Sequence, residues 1–158
     1  MKSQRIQYNR ILVATDESEC AKKALAHAHT IAMINNSSVA LVHVMEVTAQ
    51  TNYVSDPLLG QQPIVVPDTT DAQLEHAKAL LNEIAEQFSD VKELYTFHRV
   101  GIPRQEILDV AAEWNADLII MGTHGRTGFD HFLSGSVSES VVRRSLCPVL
   151  VVPCKKDN

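Results

Sequence analysis

The chain is short of aromatic residues, of cysteine and of positive charge, and each shortage closes off a class of function. Aromatic residues make up 5% of its 158 positions, too few for a surface that stacks on bases. Lysine and arginine total 14 against 19 aspartates and glutamates, a formal charge of -5. Nucleic acid is therefore not an expected partner, because affinity for its backbone comes from clustered Lys and Arg, and any phosphate site must be local. Cys20, Cys147 and Cys154 form no CxxC pair and are odd in number. Neither a disulfide framework nor a zinc site is expected from them, and a reducing cytoplasm fits better. No apolar run reaches the length of a membrane span, and residues 1–10 lack the apolar core of a signal peptide. A soluble, cytoplasmic protein with no membrane partner is the expectation.

What is present is ordinary globular material, 45% hydrophobic and 21% charged, in a length that suits one domain able to bury a core without staples. Continuous apolar runs at 11–14, 39–44, 118–121 and 149–152 read as strands buried on both faces, the pattern of a parallel sheet covered by helices. Residues 93–100 alternate instead, which suits an edge strand. Helical spacing fills the gaps. A first helix follows a Ser18 cap and carries Ala21, Ala24, Leu25, Ala28, Ile31 and Ala32. A second shows Leu74, Ala77, Leu81, Ile84 and Phe88, and a third opens at Pro103 and carries Ile107, Val110, Ala111 and Trp114. A fourth spans about 135–145 with Val137 and Val141 inward. The alternation of strands and helices predicts a single doubly wound α/β domain, a five-stranded parallel sheet sandwiched by helices. Residues 47–69 hold Asn52, Pro57, Gly60, Pro63 and Pro67, too many breakers for a simple turn, and read as a flexible insertion.

Open α/β sheets bind ligands beyond the carboxyl ends of their strands, where strand order reverses. Two glycine clusters meet at such a junction. Gly122, Thr123, His124 and Gly125 follow a buried strand, and Gly135, Ser136, Val137 and Ser138 open a helix. Glycine allows backbone N–H groups to approach a ligand, and a helix N-terminus adds oriented donors and a dipole that favours phosphate. The spacing, Gly-x2-Gly-x9-Gly-Ser, is neither GxGxxG nor GxxxxGK[ST]. By itself it leaves a plain structural turn and a phosphate site about equally supported.

Longer motifs carry a resemblance. Asp117 to Arg126 (DLIIMGTHGR), then Gly135-Ser136-Val137-Ser138, then Cys147 to Val152 (CPVLVV), together with the N-terminal Ile11 to Ser18 (ILVATDES), resemble the universal stress protein family. Val42-His43-Val44 is similar to that family's second strand and Val100 to Pro103 to its third-strand exit. The likeness spans nearly the whole chain, in order and in spacing, and Gly-x2-Gly-x9-Gly-Ser is the pattern of the family's ATP-binding branch. It implies the sheet order 3-2-1-4-5, counted over the five strands above. It assigns Gly122, Gly125, Gly135, Ser136 and Val137 to the ribose and phosphates of ATP, with Ala14, Thr15, Asp16, Val44 and Met121 around adenine and ribose. Thr123, His124, Arg126 and Ser138 complete the candidate set, with Mg2+ left open. Ala14 departs from the proline that many members carry, which leaves that turn less rigid. The resemblance further implies a homodimer through residues 149–152 and a regulatory, stress-response role toward a protein partner that the sequence does not name.

Asp16 can accept hydrogen bonds from a ribose or an adenine amino group, or it can cap the first helix. His27 and His29 lie two apart and project differently, so paired metal ligation is not expected. Arg143 and Arg144 fall where positive charge suits a helix C-terminus. The sequence contains no P-loop lysine, convincing base or clear metal carboxylate pair, and no catalytic or metal-ligating residue is assigned. Slow ATP hydrolysis or phosphotransfer, a structural dimerisation module without nucleotide, and flavin binding stay open as alternatives.

Overall fold

The computed structural model describes residues 6–46, 49–56, 60–67, 71–123 and 137–154. Its first strand, β1 (Arg10–Ala14), is followed by α1 (Glu19–Asn35), β2 (Ser38–Glu46), the pair β3 (Ala49–Asp56) and β4 (Gly60–Pro67), and α2 (Asp71–Glu86). Then come β5 (Glu93–Gly101), α3 (Pro103–Glu113), β6 (Leu118–Gly122), α4 (Val137–Arg144) and β7 (Val149–Val152).

Five strands form one parallel sheet in the order β5-β2-β1-β6-β7. Counted over those five, this is 3-2-1-4-5, the doubly wound arrangement expected, with the alternating strand β5 at one edge and β7 at the other. Strand order reverses between β1 and β6. The carboxyl ends of those two strands, Ala14 and Gly122, thus flank the crevice where such sheets take ligands.

The apolar runs divide by parity between the two faces of the sheet, as the period of two in a strand requires. Ile11, Val13, Val39, Leu41, Leu118 and Ile120 pack with Ala24, Leu25 and Ala28 of α1, with Leu81 and Ile84 of α2, and with Phe88 in the turn after it. Leu12, Ala40, Val42, Ile119 and Met121 pack on the other face with Ile107, Val110 and Trp114 of α3 and its C-terminal turn, and with Val141 of α4. Ile11, Leu12, Leu41, Ile119 and Ile120 have no exposed surface, and burying a side chain of this kind contributes about 1.5–3 kcal/mol. Two polar devices set the register of this core. The Asp117 carboxylate accepts from the N–H groups of Asn9 and Arg10 at 2.8 and 3.1 Å, which fastens the start of β6 to the start of β1. Ser18 caps α1, its Oγ accepting from the Ala21 N–H at 3.1 Å, which meets one of the unpaired donors of the first turn.

Two features differ from the sequence reading. Within 47–69, read as an insertion of breakers, β3 and β4 pair antiparallel, from Ala49 opposite Pro67 to Asp56 opposite Gly60. In a two-stranded ribbon each strand has an unpaired side, so Pro63 and Pro67 can lie in β4 without removing a ladder hydrogen bond from a third strand. The second difference is covalent. Cys20 and Cys154, expected to be free, are joined as a disulfide with Cα atoms 5.0 Å apart. The fold explains it: α1 packs on β6 and β7, so the first turn of α1 meets the residues leaving β7. Cys147 is free and half-buried, packed against the α3 and α4 side of the core, as expected.

Candidate functional site

The loop after β1 begins with Thr15, 6% exposed, whose N–H still donates to the Val42 carbonyl at 2.9 Å and so extends the sheet. Asp16 follows at the surface of the crevice. Its Oδ1 accepts from the Ser18 N–H at 2.9 Å, a turn that orients the carboxylate and positions Ser18 as cap. The two roles weighed for Asp16 thus separate: Ser18 caps α1, and Asp16 braces the residue that does so with one oxygen.

Across the crevice, β6 ends at Gly122 and Thr123. The Thr123 N–H donates to the Val152 carbonyl at 3.0 Å, and the Ser138 hydroxyl donates to the Thr123 carbonyl at 3.2 Å. Ser138 is the second residue of α4. This bond ties the first turn of α4 directly to the end of β6, so the amino end of a helix lies at the point where strand order reverses. Oriented N–H groups and the positive end of the helix dipole then serve the crevice, the arrangement that favours an anion.

Behind these polar groups lies an apolar wall. Ala14, Val44, Met121 and Val137, contributed by β1, β2, β6 and α4, belong to one cluster, with Met121 buried and the others partly exposed. Four residues far apart in the chain are brought together because Ala14, Val44 and Met121 lie toward the carboxyl ends of their strands and Val137 opens α4. An apolar surface beside a helix amino end and a carboxylate can receive a flat heterocycle, a sugar hydroxyl and a phosphate in one ligand.

Gly122 has a structural reason of its own. A Cβ on it would come within 2.6 Å of Cys20 Cβ and 2.9 Å of the Cys20 carbonyl carbon. Met121 and Gly122 face opposite sides of the sheet, as neighbours in a strand do. The bare face of Gly122 is turned to α1, and its lack of a side chain allows that helix to lie close. His124, Gly125, Arg126, Gly135 and Ser136 lie outside the described residues. The sequence missed Cys20 and Cys154 at the rim of this site; the one available signal was that each lies just beyond the carboxyl end of a strand, Cys20 after β1 and Cys154 after β7.

Three other histidines among the described residues pair within the fold. His29 Nε2 is 2.7 Å from Asp90 Oδ1, with its ring edge-on to Phe88, and the His29 contact holds the Asp90 carboxyl below its ordinary range. His43, 7% exposed, stacks on His98 across β2 and β5 with ring centroids 5.8 Å apart. Among the described residues no group of three or more metal-ligating side chains is found, and no helix is long and apolar enough to cross a membrane.

The profile of the universal stress protein family matches residues 7–153. The chain belongs to the universal stress protein family. Universal stress protein MJ0577 of Methanocaldococcus jannaschii is 34% identical over 161 residues, covering 95% of this chain and 98% of that one. A solved structure of MJ0577 superposes with a TM-score of 0.73 at 29% identity, over 96% of this chain and 100% of the other. The universal stress protein UspA from Lactobacillus plantarum gives a TM-score of 0.77 at 27% identity, covering 94% and 99% of the two chains. A universal stress protein solved in complex with cAMP gives 0.67 at 25% identity, covering 93% and 98%.

Proposed function

We propose that this universal stress protein binds ATP at the junction of β1, β6 and α4 and acts as a nucleotide-dependent regulatory module in the cytoplasm. The observation that carries the reading is the Ser138 to Thr123 hydrogen bond of 3.2 Å, because it sets a helix amino end at the sheet's reversal point beside the apolar wall. Within the proposed site, Ala14, Val44 and Met121 flank adenine, and Asp16 accepts from the ribose. Thr15 shapes the turn between them. Gly122 and Thr123 begin the loop in which His124, Gly125 and Arg126 approach the phosphates. Val137 and Ser138 supply backbone and hydroxyl donors from the start of α4, and Gly135 and Ser136, which precede it in the chain, are proposed to add theirs. A magnesium ion, where present, would neutralise phosphate charge. The cAMP complex of a family member at 25% identity supports an adenine nucleotide as the ligand class. Because the described residues of the site offer donors and a wall rather than a positioned base, the proposal is of binding, with occupancy altering the surface shown to a protein partner. The family match over 7–153 supports one domain, with the β3–β4 hairpin as its insertion.

Calorimetry with ATP, ADP, AMP and cAMP, with and without Mg2+, on protein stripped of nucleotide tests this reading. Binding of ATP supports it, and a preference for cAMP would move the ligand from triphosphate to cyclic monophosphate while keeping the site.

The same proposal includes a homodimer through β7. This strand is at an edge of the sheet, with backbone groups open on one side. Leu146 just before it is fully exposed, and Val142 of α4 is half-exposed. Light scattering is expected to give twice the chain mass, and Leu146→Asp to give the single-chain mass. A monomer in the parent protein would remove the dimer from the account.

A further inference from the structure

Cys20 is the second residue of α1 and only 2% exposed, whereas Cys154 is half-buried two residues after β7. Their disulfide joins positions 134 residues apart, and its surroundings run straight into the candidate nucleotide site. Cys20 Sγ is 3.9 Å from Thr123 Oγ1. The Cys20 backbone and Cβ are what bar a side chain from Gly122. Thr123 in turn takes the Val152 carbonyl through its N–H, two residues before Cys154. The bond, the exit of β7 and the strand end that opens the glycine loop therefore form one closed ring of contacts.

We propose that Cys20 and Cys154 form a reversible thiol–disulfide site that clamps the exit of β7 to the base of α1, oxidation tightening the adjoining nucleotide site and reduction loosening it. The effect on affinity rests on the nucleotide reading above; the redox site does not. In the cytoplasm proposed above for the protein, a disulfide persists only while oxidant is supplied, which makes it a sensor rather than a fixed staple. The two cysteines are fitted to different steps. Cys154 is the more accessible, so its thiolate attacks a peroxide, breaking the O–O bond to give a sulfenic acid and water or an alcohol. Cys20, buried in the first turn of α1 and held against Cys154, is the resolving thiol and gives up its proton as it reacts. That thiolate attacks the Cys154 sulfur, the S–O bond breaks, and the departing hydroxide takes a proton to leave as water. With hydrogen peroxide the balance is two thiols and one peroxide to one disulfide and two waters. A small dithiol returns two electrons and two protons in the reverse direction.

The link to affinity is preorganisation. While the bond stands, residue 154 cannot leave α1, and the Val152 carbonyl stays on the Thr123 N–H. Once it is reduced, the segment leaving β7 loses its covalent tie to α1, and only the sheet bonds of β7 hold the Val152 carbonyl on the Thr123 N–H. The start of the loop then has to be ordered at the expense of binding. Cys147 lies elsewhere, its N–H bonded to Ser145 Oγ at 3.2 Å, and serves as the control.

The test uses the full chain, reduced with dithiothreitol or oxidised with hydrogen peroxide and then freed of reagent. Thiol counting and intact mass are read on both forms of the parent, Cys154→Ser and Cys147→Ser, followed by melting and ATP calorimetry. Oxidation is expected to remove two of the three thiols in the parent and to raise its melting temperature on the order of 10 °C, because the closed loop is long. ATP affinity is expected to be at least about threefold tighter in the oxidised parent and in oxidised Cys147→Ser, with no difference between the forms of Cys154→Ser. Three thiols remaining after peroxide, or equal affinity in the two parent forms, would overturn the proposal. Failure of both forms to bind ATP would overturn the nucleotide reading and the affinity effect together, while thiol count and melting still decide the redox site.

Discussion

Replacing Gly122 with valine is expected to lower the melting temperature by about 10 °C, a loss of about 3 kcal/mol in a chain of this length. The cause is space. Gly122 does not sit in the left-handed region, but a Cβ there would stand 2.6 Å from Cys20 Cβ and 2.9 Å from the Cys20 carbonyl carbon. Helix backbone cannot turn aside as a side chain does, so α1 must lift from β6, and valine adds two branches to the misfit. Gly101 supplies the contrast. The atoms nearest a Cβ at that position belong to the outer Glu106 side chain, which can rotate away, and Gly101→Ala is expected to melt within about 2 °C of the parent. Thermal unfolding followed by circular dichroism checks both. A Gly122→Val protein as stable as Gly101→Ala would mean that α1 does not rest on β6 as described.

Asp16→Ala is expected to weaken ATP binding by about 10- to 100-fold, the loss that follows when a charged acceptor leaves a ligand donor unpaired. The same change frees the Ser18 N–H that Asp16 Oδ1 now accepts, at about 1 kcal/mol of helix stability. Asp16→Asn separates the effects, because its carbonyl oxygen can still take the Ser18 N–H while the charge is gone. It is expected to melt like the parent and to bind ATP between the two. Unchanged affinity in Asp16→Ala would take Asp16 out of the site and leave it as a brace for the cap.

These two residues also mark how far the sequence could be read. The central strands were legible because both their faces are covered, so β1, β2 and β6 are built on apolar runs, interrupted within β2 by His43, and parity then assigns the apolar residues to a helix layer. The edge position of β5 was legible for the opposite reason, since one of its neighbours is missing and its sequence alternates. Gly122 was legible as a special position but for an incomplete reason: glycine admits a ligand and an approaching helix equally well, and only the packing of Cys20 against it tells that the helix is there. The β3–β4 hairpin escaped because proline breaks a central strand, whereas a ribbon of two strands tolerates it. The disulfide escaped because an odd cysteine count and 134 intervening residues carry no trace of the sheet order that brings α1 and the end of β7 together. Of the candidate site, the wall and the polar rim come from residues named in the sequence. The Ser138 bond that joins helix to strand is a tertiary contact that no local pattern encodes.

The proposal that this protein holds ATP at the reversal point of its sheet stands most directly on one titration. Protein unfolded to release nucleotide, refolded and kept oxidised is titrated with ATP in a calorimeter, beside Asp16→Ala. Saturable binding of one ATP per chain, weakened about tenfold or more in the variant, is the predicted result. Absence of heat with ATP from folded parent protein, or equal binding by the two proteins, would contradict it.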